Sequence, residues 1–527
     1  MKFRTVFPFL VLALSSCKLT DLPFFSTHSS NANEEEKSSL SSSSEESKDI
    51  TSEEEKSSAM EESSIASAES TELQTSQQAS SIPDPVSEKT LFDLTASLSI
   101  SMAFEPDALR FISDYQSQRG NYLSDAYVPA NLTIVFDGDT YVFEDVGVRM
   151  KGNTSRRSIY WGDDIENPVH FKVNFKATFD DEFYEEAPLQ QFAHTWEDNA
   201  ARKARKKRNF LGYEKLDLKY IPRNSGVCSI QEIYAYDAFE KAGIMAPKAR
   251  TASVTISDGA SSIFYDYEVV ECIDKDFITR RLGKAENSGD LYKCVYNGMG
   301  KADFARDGAV EKNGGGDTPN SGARLSNGKI GVEDNYHGYV PCYQLKTNDD
   351  LGEDSDFSKM ADLINTFWTV RRANGSKEML ESKLDIDHFL KFSAVSYLLG
   401  NADDQRYNFN NFYLYFLPSN GKAFFIPYDW DWCFGTLGNN LAQRGPLDEY
   451  TLDGSDLSNP FRITFLSNGG LSYDANGYRQ TYLNYVNQYK DMVYDTQAFD
   501  DLVAMTLDNP IEYGEATSFF QQRLELL

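Results

Sequence analysis

After its first fourteen residues the chain has no run of about eighteen apolar residues, which excludes a later membrane-spanning helix. Cysteine is scarce: six in 527 residues, with no CxxC pair and no metal-like spacing, so neither a thiolate zinc site nor a dense disulfide framework is expected. Setting Cys17 aside leaves Cys228, Cys272, Cys294, Cys342 and Cys433, an odd number that cannot all pair within one chain, and they are read as small buried hydrophobes. Aromatic residues all but vanish from about Ser26 to Ser87, where Ser, Glu, Ala and Thr dominate. Such a stretch buries too little apolar surface to offset its ordering entropy and reads as a disordered, self-repelling tether. Positive charge is also short: 51 Lys and Arg stand against 81 Asp and Glu, a net charge of −30 that argues against a nucleic-acid partner. The one basic run, Arg202 to Arg208 (RKARKKR), reads as a solvated loop or helix face. No repeat at solenoid periods is present.

The first residues carry the most specific short pattern. Lys2 and Arg4 precede an apolar stretch from Val6 to Leu14, and Leu14-Ser15-Ser16-Cys17 follows. Small residues just before a cysteine resemble the lipobox of bacterial lipoproteins. That resemblance implies a signal peptide over residues 1–16, acylation of Cys17, and a linker over 17–90 that holds the remainder off the extracytoplasmic face of a membrane. Two or more acyl chains would make the anchor stable, each buried methylene contributing about 0.8 kcal/mol.

Residues from about 90 onward, rich in Phe and Tyr, exceed the size at which a single core stops growing, so two lobes are expected. The first part reads as strands: Leu132 to Phe136 up to the turn Asp137-Gly138-Asp139, then Tyr141 to Phe143, Val146 to Met150 and Phe171 to Phe175. Ser229 to Ala242 has the spacing of an amphipathic helix with Ile230, Ile233, Tyr234, Ala238 and Phe239 on one face. Strands are expected again over Thr251–Ile256 and Phe264–Glu271, helices over Phe357–Arg371 and Asp385–Leu399, and a strand pair over Phe412–Leu417 and Ala423–Ile426. Strands first and helices later make an α+β arrangement.

Two stretches concentrate chemistry. Asn401 to Asn411 (NADDQRYNFNN) follows a helix, and Ile426 to Gly435 (IPYDWDWCFG) follows a strand, so a rigid element aims each. In an extended segment Asp429 and Asp431 share one face while Trp430 and Trp432 occupy the other. Two carboxylates with an Asn nearby suit Mg²⁺ or Mn²⁺ better than zinc. Asp403 and Asn408 have the D-x-x-x-x-N spacing of a kinase catalytic loop, in which the Asp accepts the hydroxyl proton and the Asn holds metal.

Along most of residues 95–500 the chain resembles the spore-coat protein H (CotH) kinase family. The resemblance rests on GVRMKGNTS (Gly147–Ser155), FKVNFK (Phe171–Lys176), LGYEKLDLK (Leu211–Lys219), YEVVECIDKDFITRRLG (Tyr267–Gly283), GDLYK (Gly289–Lys293), YQLKTN (Tyr343–Asn348), LDIDHFLKFSAVSYLLGNADD (Leu384–Asp404) and NNFYLYFLPSNGKAFFIPYDWDWCFG (Asn410–Gly435). It implies an atypical two-lobed protein-kinase fold, with an N-lobe over 91–275 and a C-lobe over 276–527, using ATP and Mg²⁺ or Mn²⁺ to phosphorylate Ser or Thr of a secreted or surface protein. It also assigns roles: Asp403 catalytic, Asp429 metal-binding with Asp431 beside it, and Asn411 metal-binding in preference to Asn408. In the N-lobe, Gly147 to Ser155 would supply the loop over the phosphates, with Gly152 allowing close backbone approach, and Lys172, with Lys151 and Arg149 as alternatives, would be the phosphate-contacting residue paired with Glu232. Glu271 would mark the hinge at the nucleotide. A monomer is expected. Two other readings stay open: the same fold serving as a surface adhesin or binding module, and a metal-dependent phosphoesterase or glycan-modifying enzyme built on the Asp429/Asp431 pair.

Overall fold

Strand alternation builds the first half of the architecture. In Leu98–Ala103 every second side chain is buried, and Val128–Phe136 does nearly the same. The computed structural model describes residues 89–117, 126–152, 155–222, 229–295, 302–304, 323–324, 329–330, 342–348, 356–371, 375–436, 441–448, 459–466, 475–506 and 514–527. Cys17, the residues before it, the Ser26–Ser87 stretch and Cys228 lie outside the described residues.

Seven strands close into a barrel: β1 (Leu98–Ala103), β2 (Val128–Phe136), β3 (Asp139–Met150), β4 (Phe171–Asn174), β5 (Lys215–Tyr220), β6 (Ala249–Ser257) and β7 (Ser262–Glu271). Their order is β1-β2-β3-β4-β5-β7-β6. Antiparallel neighbours run round the sheet until β6 meets β1 in parallel, Ser99 opposite Ser253 through Ala103 opposite Ser257, and closure removes the free edges. Ile100, Ile134, Val148, Phe171, Leu218 and Val254 fill the interior, and helix α1 (Pro106–Tyr115) adds Leu109 and Ile112 to the same core. The expected strands appear within a few residues of their expected bounds, and Asp137 and Gly138 take positive φ in the turn between β2 and β3. β1 and β5 were not expected as strands.

β5 departs from simple alternation, because its four central residues are all buried. Leu216 and Leu218 point into the barrel, whereas Asp217 and Lys219 lie on its outer face and are covered there. The cover includes helix α2 (Ser229–Lys241), which was expected to bury one face. Gln231, Glu232, Ala235 and Tyr236 are buried as well, since α2 is enclosed between the barrel exterior and a second core that takes in Ile230, Tyr234 and Phe239.

That second core holds a four-stranded sheet, β8 (Leu291–Cys294), β9 (Tyr343–Leu345), β10 (Phe412–Phe416) and β11 (Ala423–Pro427), in the order β9-β8-β10-β11. Helices α4 (Ser358–Arg371), α5 (Ile386–Leu399) and α6 (Asn476–Val493) surround it, while α3 (Lys275–Leu282) lies between β7 and β8 in the chain. Asp385 caps α5 by accepting from the His388 N–H at 3.1 Å, and Gly400 ends it at φ +62°, where a side chain would overlap the Phe519 ring. The architecture is thus mixed α and β. Cys272, Cys294, Cys342 and Cys433 are buried thiols, as expected of small hydrophobes. The basic run forms part of a short helix over Asn199–Arg205; its lysines are exposed, but its arginines are tied down. Arg202 pairs with Asp180, Arg205 donates to the Asp145 carbonyl at 2.6 Å, and Arg208 donates to the Glu144 carbonyl at 2.8 Å.

Candidate active site

The outer face of β5 and the loop after β11 meet at Lys219. Its ammonium pairs with Glu232 of α2, lies 2.6 Å from Asp429 Oδ1 and 3.2 Å from Asp431 Oδ2, and its side chain is 7% exposed. The Glu232, Asp429 and Asp431 carboxylates lie within 4.8 Å of one another. Tyr236, one helical turn after Glu232, donates to that carboxylate and accepts from the Asp429 N–H at 3.0 Å, which ties α2 to the loop. Glu268, opposite Lys219 in the ladder, completes the wall and is also buried.

The loop geometry differs from the extended segment expected. Asp429 takes φ +61° and a turn begins at Asp431. Trp430 is fully buried edge-on to Phe239, with centroids 4.8 Å apart, whereas Trp432 is only half-buried, so the indoles do not share an environment. The two carboxylates converge because a left-handed residue turns the chain toward Lys219. Burial works against ionisation of Asp429, but Lys219 and then Lys151 outweigh it and hold the carboxyl below its ordinary range. Burial pushes Asp431 upward, with Lys219 opposing and Asp429 and Glu232 adding to the rise. Lys219 is raised well above the ordinary lysine range because Asp429, Asp431 and Glu232 overcome its burial.

Asp403 stands on the segment after α5. Its carboxylate accepts from three amides: Asn408 at 2.7 Å, Asn410 at 3.1 Å and Asn411 at 3.0 Å. Its N–H donates to the Asn401 side chain at 2.8 Å. Burial raises the Asp403 carboxyl, assisted by Asp429 and opposed by the amide donors, a shift toward the range where a carboxylate serves as a base. Asn411, 4% exposed and at φ +58°, accepts from the Tyr428 N–H at 3.3 Å and so bridges Asp403 to the Asp429 loop. Asp404 and Arg406, both fully buried, form an ion pair at 2.6 Å that fixes the segment from behind.

Not every residue read from the sequence lies where expected. Lys172 does not reach Glu232. It stands opposite Asp217 in the β4–β5 ladder and 3.5 Å from that carboxylate, which also holds Lys151 at 2.7 Å. Lys219 takes the place beside Glu232. It is thirteen residues before that glutamate, on the strand directly preceding α2. Arg149 is the ladder partner of Lys172 and lies 5.5 Å from the Tyr127 ring. Gly152 has φ +96°, and a Cβ there would collide with Ser155 Oγ, so glycine is required at this bend. The Glu271 carboxylate is committed to Arg280 at 2.8 Å, Arg281 at 2.5 Å and the Lys248 N–H at 3.1 Å, so it pins α3 to the end of β7. Sequence reasoning missed Lys219, Asn410 and Tyr236 as site members. Lys219 had a signal, since it ends the alternating LDLK one strand before the helix carrying Glu232.

Three oxygen-bearing side chains so close together suit a hard divalent cation, and the neighbouring ammonium suits phosphate. This is a site of phosphotransferase type. The pattern of the CotH kinase protein family matches residues 190–506, and the chain belongs to that family. No curated protein matches the chain. Among solved structures, the chain is similar to one from the Shewanella oneidensis toxin–antitoxin complex of HipA and HipB with operator DNA, at 12% identity and a TM-score of 0.27. That likeness covers 59% of this chain and 57% of that one, so the chain spans less than two thirds of its length.

Proposed function

We propose that this chain is a metal-dependent protein kinase acting outside the cytoplasm, two-lobed in the kinase manner and held to a membrane through an acylated Cys17. It transfers the γ-phosphoryl group of ATP to Ser or Thr of a secreted or surface protein. The observation that carries the reading is the Lys219 ammonium set among Glu232, Asp429 and Asp431, beside an Asp403 carboxylate steered by three asparagines. Asp403 accepts the proton of the substrate hydroxyl as its oxygen bonds to the γ-phosphorus and the bond to the β–γ bridging oxygen breaks. Glu232 and Tyr236 hold Lys219 and Asp429 in register, and Lys219 steadies phosphate oxygens. Asp429, Asp431 and Asn411 would hold Mg²⁺ or Mn²⁺, which when bound neutralises phosphate charge. The barrel wall on one side and the Asp429 loop on the other exclude water from Lys219.

The test incubates the full-length protein with labelled ATP and Mg²⁺ or Mn²⁺, alongside Asp403→Ala and Asp429→Ala. Label should pass to the protein itself or to Ser-containing acidic peptides, and either substitution should abolish it. Stabilisation by nucleotide without transfer would replace the kinase with a nucleotide-binding module, and neither effect would end the proposal. Anchoring is tested separately: labelled fatty acid should be incorporated by the wild type and not by Cys17→Ser.

A further inference from the structure

Among the described residues the most exposed large apolar side chain is a tryptophan, Trp161, at 74%. It stands on a small hairpin, Tyr160–Trp161 paired with Asp164–Ile165, raised from the segment between β3 and β4. Gly162 opens the two-residue turn at φ +64°. The hairpin is braced rather than loose. Tyr160 and Ile165 face inward and are buried with the barrel core. The Tyr160 hydroxyl donates to Asp258 at 2.8 Å, and the Ile165 N–H donates to Ser261 Oγ at 3.1 Å. Arg110 of α1 lies 3.7 Å from the Tyr160 ring centroid and donates to the Gly162 carbonyl at 3.2 Å and to Asp163 at 3.0 Å. With Tyr160 and Ile165 turned in, the opposite pair is turned out: Trp161 and Asp164 face each other across the ladder, both exposed. Glu166, two residues beyond Asp164, is exposed on the same side. The stretch Ile159 to Glu166 holds three carboxylates and no lysine or arginine. The nearby cations are engaged elsewhere. Arg110 takes Asp163, Arg156 donates to the Gly152 and Gln116 carbonyls, and Arg157 donates to the Pro168 carbonyl and lies over the Tyr220 ring.

We propose that this hairpin is a docking site for a cationic segment of a partner protein, whose Lys or Arg side chain lies on Trp161 against Asp164 while a second cation meets Glu166. An indole face attracts a cation more strongly than any other aromatic side chain, and the carboxylate beside it adds charge at the same point. Tryptophan is also the residue type most enriched among binding hot spots, and an indole already held in place loses little freedom on binding. Charge decides the class of partner: an acidic face with no free cation repels acidic segments and draws basic ones. The site stands apart from phosphoryl transfer and does not depend on the kinase reading.

The experiment titrates the full-length protein calorimetrically with an octalysine peptide at about 0.15 M salt, without nucleotide, and compares Trp161→Ala, Trp161→Phe and Asp164→Asn. Wild type should bind, Trp161→Ala should bind about fivefold to tenfold more weakly, and Trp161→Phe should stay within about threefold. Asp164→Asn should weaken binding and flatten its dependence on salt. All three side chains being exposed, the variants should melt within about 2 °C of wild type, so weakened binding is not confused with unfolding. The comparison between variants is what counts, since a chain of net charge −30 attracts polylysine at many places. Equal octalysine affinity in wild type and Trp161→Ala would overturn the docking site, as would absence of binding by wild type. A soluble neutral glucan that wild type binds and Trp161→Ala does not, with octalysine affinity unchanged, would overturn it in favour of a sugar-stacking platform.

Discussion

Replacing Lys219 by Met tests the site in two independent currencies, stability and turnover. The substitution keeps the aliphatic stem and deletes the ammonium, leaving Glu232 at 1% side-chain exposure beside Asp429 and Asp431 with no cation between them. Removing one partner of a buried ion pair costs about 3–5 kcal/mol, chiefly because the remaining charge stays desolvated. For a compact unit spanning Ser81–Leu527, an unfolding entropy of about 2.1 cal/mol/K per residue comes to about 0.9 kcal/mol/K, so the melting temperature should fall by about 3–5 °C. Without the ammonium, the three carboxylates become a better divalent-cation site. Mg²⁺ or Mn²⁺ at a hundredfold over its Kd should return about 2.7 kcal/mol, or about 3 °C. Phosphoryl transfer should still be reduced at least about a hundredfold, as when a preorganised charge is deleted from other active sites. For stability alone, Lys172→Met is the internal control. Its side chain is 23% exposed and Asp217 keeps Lys151, so the cost should be about 1 kcal/mol or less. Scanning calorimetry with and without cation, followed by a transfer assay, reads all of this. A Lys219→Met protein that melts and transfers like wild type, while Lys172→Met is dead, would refute the assignment.

Asp217→Asn strands Lys151 and Lys172 and should destabilise by about 3–5 kcal/mol at neutral pH. Although burial opposes it, Lys151 and Lys172 hold the Asp217 carboxyl well below its ordinary range, so its contribution is present above the unfolded value of about 3.9 and is lost as pH falls below it. The gap between wild type and Asp217→Asn should therefore narrow on acidification, as urea melts across pH would record. Gly400→Ala combines a left-handed φ of +62° with overlap on the Phe519 ring, and should cost about 2 kcal/mol or more and loosen the Asp403 segment, seen as faster amide exchange there. Of the asparagines on Asp403, Asn411→Ala should lower kcat by about a hundredfold or more, because it deletes a 4% exposed amide that donates to Asp403 and is placed in the metal set, at a φ of +58° that alanine adopts poorly. Asn408→Ala should cost only about tenfold, and equal effects would remove Asn411 from the metal set.

The Asp403 loop was legible because its parts are local: an aspartate with Asn408 and Asn411 within nine residues, directly after a helix, although Asn410 between them was missed. The strands from β2 to β4 and the α5, β10 and β11 elements were legible for the same reason, each carrying its own period. The lysine was not. Lys172 and Lys219 both occupy outward positions on alternating strands, and nothing in either strand says which faces α2. That is set by the β4–β5 register, which puts Lys172 opposite Asp217, and by the helix that follows β5 and lays Glu232 over its outer face. The Asp429 loop escaped for a related reason. A period-two reading of DWDW assumes an extended chain, and a left-handed aspartate breaks that assumption at the first residue.

Closure of the barrel was hidden as well, because the parallel meeting of β1 and β6 joins segments about 150 residues apart. The site depends on a further non-local step, the packing of α2 and the Asp429 loop on the outer side of β5. Without α2 and the Asp429 loop packed on it, the outer side of β5 would face water, and Asp217 and Lys219 would be ordinary surface charges. With the sheet closed on itself and that side covered by α2 and the Asp429 loop, the same residues become buried ions that must find partners. The pairing that results, Lys219 with Glu232, Asp429 and Asp431 and Asp217 with two further lysines, separates carboxylates that can hold a cation from ammonium groups that can hold phosphate. Burial on both faces of one short strand is therefore the structural cause of the charge separation on which phosphoryl transfer would depend.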